Sequence, residues 1–144
     1  MATVSCYLIF NGSCEKAFRY YESVFGTKIS FIGRYGDIPQ AEGMPLLSEE
    51  EKQKVENVYL PIGGGTFIMG ADGLASMGYK PTDNRGFSLY VTAESREEAD
   101  RLFHKLSANG QATMPISQAH WGDYFGMCTD QFGISWFINF AAKQ

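Results

Sequence analysis

Trp121-Gly122-Asp123-Tyr124-Phe125-Gly126-Met127-Cys128-Thr129-Asp130-Gln131-Phe132-Gly133-Ile134-Ser135-Trp136-Phe137-Ile138-Asn139 reads as strand, tight turn, strand. Residues 122–129 and 134–140 are rich in aromatic and β-branched side chains, which suit a pleated, half-buried surface. Between them Asp130-Gln131-Phe132-Gly133 supplies the turn. Asp bonds its own backbone there, and Gly takes positive φ without a Cβ clash. Strand alternation puts Trp136, Ile138 and Phe140 on one face and Ser135, Phe137 and Asn139 on the other. The hairpin is either packed core or the wall of a small-molecule cleft, and the flanking sequence has to decide.

Upstream of the hairpin the pattern predicts a strand over 87–92, a helix over 95–108 and a strand over 111–118. The helix has a buried stripe of Ala99, Leu102, Phe103 and Leu106. In its first turn Glu97 and Glu98 suit the helix dipole. In the strand, Phe87, Leu89 and Val91 are expected to face the helix, with Ser88 and Tyr90 on the opposite face. The first half of the chain has the same plan. A strand over 3–10 leads to a helix from Ser13 or Cys14 to about Phe25, whose apolar stripe is Ala17, Phe18, Tyr21, Val24 and Phe25. Gly26 stops it. A strand follows over 28–35, then a polar loop over 36–56 in which Ser48 and Glu51 have the spacing of a capping box. Residues 57–62 and 66–71 form a hairpin around Gly63-Gly64-Gly65. No Lys-Ser/Thr and no helix follow those glycines, so they are not read as a phosphate loop.

The chain therefore reads as βαβββ, linker, βαβββ. Module one covers about 3–72, the linker 73–85 and module two about 86–141, within one domain of 144 residues. The expected class is α+β: paired βαβββ modules forming a curved eight-stranded mixed sheet with helices on the outer face. A semi-polar sheet face opposite the helices is the geometry of an open cleft.

Composition narrows the function. A net charge of −4 without a basic stripe argues against nucleic acid. No apolar run approaches the ~20 residues a membrane helix needs. No basic region followed by an apolar stretch opens the chain, so a cytoplasmic protein is expected. Cys6, Cys14 and Cys128 are odd in number and lack metal-site spacing, so they read as buried small side chains.

The first-module run Tyr7-Leu8-Ile9-Phe10-Asn11-Gly12, with Glu15-Lys16-Ala17-Phe18-Arg19-Tyr20-Tyr21-Glu22-Ser23-Val24-Phe25-Gly26, resembles the vicinal-oxygen-chelate superfamily. That superfamily includes glyoxalase I, bleomycin-resistance proteins and extradiol dioxygenases. The final hairpin, with its Asp-Gln-Phe-Gly turn, resembles the PhnB-like branch, whose members are often labelled 3-demethylubiquinone methyltransferase-like. The resemblance spans about residues 4–140. It implies the fold expected above, a homodimer, and a site in the concave face.

It also implies four places for metal ligands, in the first and last strands of each module. Cys6 stands in the first and Ile68, Met69 and Gly70 in the second. Gly86 or Ser88 stands in the third, and Phe137, with Asn139 two residues on, in the fourth. One thiol among four places argues against the family's metal chemistry. His104 falls off its helix stripe and reads as a surface residue. His120, at the mouth of the hairpin, is a candidate ligand contact. The expected ligand-binding residues are Cys6, Ser88, Tyr90, His120, Trp121, Phe137 and Asn139, with no metal and no cofactor. No glycine-rich strand-to-helix turn supports a methyltransferase cofactor pocket. The leading expectation is a small-molecule-binding protein with a degenerate metal site. The alternative is a metal-dependent lyase, isomerase or dioxygenase with non-standard ligands near Cys6 and His120.

Overall fold

The computed structural model describes residues 1–83 and 86–141; Asn84 and Arg85, at the end of the expected linker, lie outside the described residues. The chain divides into two compact units, Met1–Thr82 and Asp83–Gln144.

In the first unit β1 (Cys6–Phe10) leads into α1 (Cys14–Phe25), then β2 (Phe31–Arg34), a short α2 (Glu49–Lys52), β3 (Val55–Gly63) and β4 (Thr66–Asp72). The sheet order is β1-β4-β3-β2. β1 runs parallel to β4, and the other pairs are antiparallel. The stripe of α1 is buried at Ala17, Phe18, Tyr21 and Val24. Phe18 meets Phe10 edge-on at 6.1 Å. Leu8 and Phe10 thus face the helix, while Tyr7 and Ile9 remain exposed on the other face. The capping box at α2 forms, with Glu51 N–H donating to Ser48 Oγ at 3.0 Å.

The start of α1 is held by a residue outside the helix. Ser13 makes no side-chain cap. The buried Asp72 carboxylate, at the end of β4, accepts from Cys14 N–H and Val55 N–H, both at 3.0 Å. One side chain so pins α1, β3 and β4, and an unpaired N–H at that depth would cost about 1–3 kcal/mol.

The second unit repeats the order. β5 (Leu89–Thr92) leads into α3 (Arg96–Ser107), then β6 (Gln111–Gln118), β7 (Tyr124–Thr129) and β8 (Ser135–Phe140). The sheet order is β5-β8-β7-β6, with β5 parallel to β8. All four residues of the expected α3 stripe are buried. Ser95 caps the helix by accepting from Glu98 N–H. The α+β plan of paired βαβββ modules is borne out; the eight strands hydrogen-bond as two four-stranded mixed sheets.

Two local expectations are corrected. Phe87 is 47% exposed and precedes β5, so it does not face the helix with Leu89 and Val91. Gly86, at φ +95°, turns the chain just before it, and the strand alternation does not extend back that far. The strand expected from 122 starts instead at Tyr124, because residues 119–123 form a turn closed by Gly122 N–H to Ala119 O at 3.0 Å.

The decisive turn forms as read. Asp130 Oδ1 accepts from Phe132 N–H at 2.8 Å and Ile134 N–H at 3.0 Å. Its Oδ2 accepts from Trp136 Nε1 at 2.8 Å. Gly133 takes φ +87°, a conformation a Cβ would strain. Trp136 is buried with Ile138 on the helix-facing side.

Candidate functional site

The two faces of the second sheet are fixed by contacts with α3. Tyr124 donates to Asp100, and the Arg96 guanidinium lies 4.1 Å from the Tyr124 ring centre. A Cβ on Gly126 would come within 3.0 Å of the Phe103 ring and 2.8 Å of Ile116 Cα, so the helix and β6 sit close against β7 there. Tyr124, Gly126 and Cys128, with their partners Phe140, Ile138 and Trp136, therefore form the helix face. Phe125, Met127, Phe137 and Asn139 lie on the opposite face by alternation, and Tyr90 joins them as the register partner of Phe137.

That face carries a chain of rings, with Phe125 buried in its middle. Tyr90 and Phe137 are 6.5 Å apart between centroids. Phe137 and Phe125 follow at 5.6 Å, edge to face. Phe125 and Trp121 are 5.4 Å apart, and Trp121 and His120 4.9 Å. These are the separations at which aromatic pairs attract. Tyr90 is 59% exposed and Trp121 55% exposed, so both ends of the row stand in solvent.

Asn139 sits within this row, paired across the sheet with Phe125 and on the other side with Thr92. It is only 4% exposed. Its Nδ2 donates to Asp123 Oδ2 at 3.0 Å. Its Oδ1 is buried without a hydrogen-bond partner among the described residues. At the far end of β8 the Ser88 and Ser135 hydroxyls bond each other at 2.7 Å.

Five of the seven expected residues, Tyr90, His120, Trp121, Phe137 and Asn139, thus gather around the same face of the second unit. Ser88 lies at its edge, engaged with Ser135. Cys6 lies in the first unit, on the strand face that it shares with Leu8 and Phe10, and it pairs with Ile68. Burial pushes the Cys6 thiol up, away from the ionised form a nucleophile needs. His104 is exposed on α3, with Nδ1 2.6 Å from Asp100 O.

Sequence reasoning missed Phe125, which links Phe137 to Trp121, and Asp123, which holds the Asn139 amide. Alternation along the strand puts Phe125 and Met127 on one face, but only the pairing register sets Phe125 opposite Asn139. The open face of the first unit was also missed. There Tyr59 and Phe67 stack at 4.4 Å. Tyr7 Oη reaches Asn57 Oδ1 at 3.2 Å.

A metal is implied by the resemblance, and the residues in its places do not fit one. Phe137 stands between two rings where a carboxylate would be required. Ser88 is bound to Ser135, and Ile68, Met69 and Gly70 bring no hard or borderline side-chain donor on β4. Among the described residues no three His, Cys, Asp or Glu side chains come together.

Comparison with known proteins agrees with the architecture. Residues 2–139 match the family model described as 3-demethylubiquinone-9 3-methyltransferase. Protein YjdN of Escherichia coli K12 is 30% identical, over 98% of this chain and 97% of its own. Among solved structures, protein PA1353 from Pseudomonas aeruginosa superposes with a TM-score of 0.84 at 30% identity, covering 99% of this chain and 100% of that one. The putative 3-demethylubiquinone-9 3-methyltransferase PhnB protein from Bacillus cereus gives 0.75 at 28% identity, covering 97% and 100%. In fold alone, a glyoxylase/bleomycin resistance protein/dioxygenase domain from Frankia sp. EAN1pec is similar, with a TM-score of 0.66 at 15% identity over 99% and 94% of the chains. The chain belongs to the family described as 3-demethylubiquinone-9 3-methyltransferase, whose model it matches over residues 2–139.

Proposed function

We propose that this chain is a small-molecule-binding protein that takes a flat, largely apolar ligand on the open face of its second unit, without a resident metal. The observation that carries this reading is the row Tyr90–Phe137–Phe125–Trp121, aromatic along its length and exposed at both ends. A folded chain gains from burying such rings, and leaving them at the surface points to a partner. A planar ligand covering them would gain about 25 cal/mol per Å² of apolar area removed from water. His120, beside Trp121, is the polar group at the rim.

The family name suggests methyl transfer, and the superfamily suggests metal-assisted lyase or dioxygenase chemistry. The residues at the metal positions do not support the second. A thermal-shift screen over planar metabolites and antibiotics, with S-adenosylmethionine included, tests the reading together with elemental analysis of protein purified without chelators. Planar compounds are expected to raise the melting temperature, because a ligand that binds only the folded state stabilises it. About one equivalent of Zn, Ni, Mn or Fe per chain, bound within the second unit, would replace this reading with the metal-dependent one.

A further inference from the structure

We infer that the ligand of the aromatic face carries an N–H or O–H donor on its edge, is neutral or cationic, and places that donor on Asn139 Oδ1. This rests on the proposed function above and names the chemistry of its ligand. Three observations converge. Asn139 Oδ1 is buried with no partner among the described residues, although its residue is only 4% exposed. A buried acceptor left unpaired is unfavourable, and a donor arriving there removes that penalty. Second, the amide is fixed in orientation: Nδ2 is already committed to Asp123 Oδ2 at 3.0 Å, so the group left over is the acceptor. Third, charge selects the ligand. Strands β5 to β8 and the 119–123 turn hold one carboxylate, Asp123, and no Lys or Arg. On these strands and this turn an anionic ligand would meet Asp123 and no Lys or Arg, whereas a cation would be favoured by both Asp123 and the ring faces.

Asn139 thus acts as a specificity residue, and the rings supply the contact area. Phe137, half-buried, is the same-face neighbour of Asn139 two residues before it on β8, so a ring resting on Phe137 lies beside the amide. Discrimination should be of the size of one neutral hydrogen bond made in place of an unpaired acceptor, about tenfold in affinity.

The test uses three probes of matched shape: 2-naphthol, which has a donor; 2-methoxynaphthalene, which has none; and 2-naphthoate, which is anionic. Each is titrated calorimetrically into the full chain. The expected order is 2-naphthol tightest, 2-methoxynaphthalene about tenfold weaker, and 2-naphthoate weakest. Asn139→Leu should bring 2-naphthol down to 2-methoxynaphthalene while the latter still binds. The wild-type comparison needs no variant, so it stands even if Asn139→Leu folds poorly. Equal binding of 2-naphthol and 2-methoxynaphthalene to wild type, tightest binding by 2-naphthoate, or a preference that survives in folded Asn139→Leu would each overturn the inference and leave aromatic binding intact. No saturable binding by any of the three would overturn both.

Discussion

Asp130 shows how a single side chain fixes the hairpin on which the fold reading turns. Its two oxygens accept from Phe132 N–H, Ile134 N–H and the indole of Trp136. Hydrogen bonds to a charged group contribute about 1.5–3 kcal/mol each, and sharing one carboxylate makes them less than additive. Asp130→Ala should therefore destabilise the protein by about 2–4 kcal/mol and lower its denaturant midpoint with little change in slope. A loss below about 0.5 kcal/mol would show the turn to be set by Gly133 alone. The Asp-x-x-Gly turn was legible because both residue types act on their immediate backbone. The Trp136 bond to Asp130 was not, since spacing does not say where a side chain six residues away will point. Asp72 was less legible still. Its partners are Cys14, 58 residues away, and Val55, and its sequence context is that of a loop acidic residue.

At the scale of elements, both long helices and all eight strands were readable because their apolar stripes recur at helical or alternate spacing. Strand starts at 87 and 122 were misplaced where a positive-φ glycine, Gly86 or Gly122, redirects the chain. The helix–sheet seams make a prediction of their own. Cys14 opens α1 and Cys128 lies on the helix face of β7, and both are buried. Burial, aided by the nearby Asp130, pushes the Cys128 thiol from 9.0 up to about 12. Cys14 moves in the same direction, chiefly through burial and next through Asp72. These thiols stay protonated when folded but ionise above pH 9.0 when unfolded. Stability from this source is thus complete below pH 9.0 and is lost as pH rises toward 12, with proton release on unfolding. Tyr7, Tyr35 and Tyr124 are raised too and act with the same sign. Urea midpoints should fall steadily above pH 9.0, and Cys128→Ala should make that fall shallower. A slope unchanged by the substitution would contradict a dry seam at Cys128.

At the scale of the whole molecule, the pattern repeat gave the two-module plan, and the matching sheet orders β1-β4-β3-β2 and β5-β8-β7-β6 express it in hydrogen bonds. The candidate site was legible only in part. Strand alternation placed Tyr90, Phe137 and Asn139 on one face, but the ring contacts through Phe125 and the anchoring of Asn139 by Asp123 depend on cross-strand register, which sequence alone does not set. Among the described residues no helix is long and apolar enough to cross a membrane. We propose that the chain is a homodimer, because mixed sheets leave strand edges that need covering. Sedimentation should give twice the chain mass of 16.0 kDa, and a monomer at micromolar concentration would refute this.

The central claim is that the aromatic row of the second unit is a ligand-binding face. Heteronuclear NMR of the labelled chain titrated with 2-naphthol tests it most directly. Saturable shifts centred on Tyr90, Phe125, Phe137, Asn139 and the Trp121 indole N–H are the predicted result. Saturable shifts confined to residues outside that face, or none at all, would contradict it.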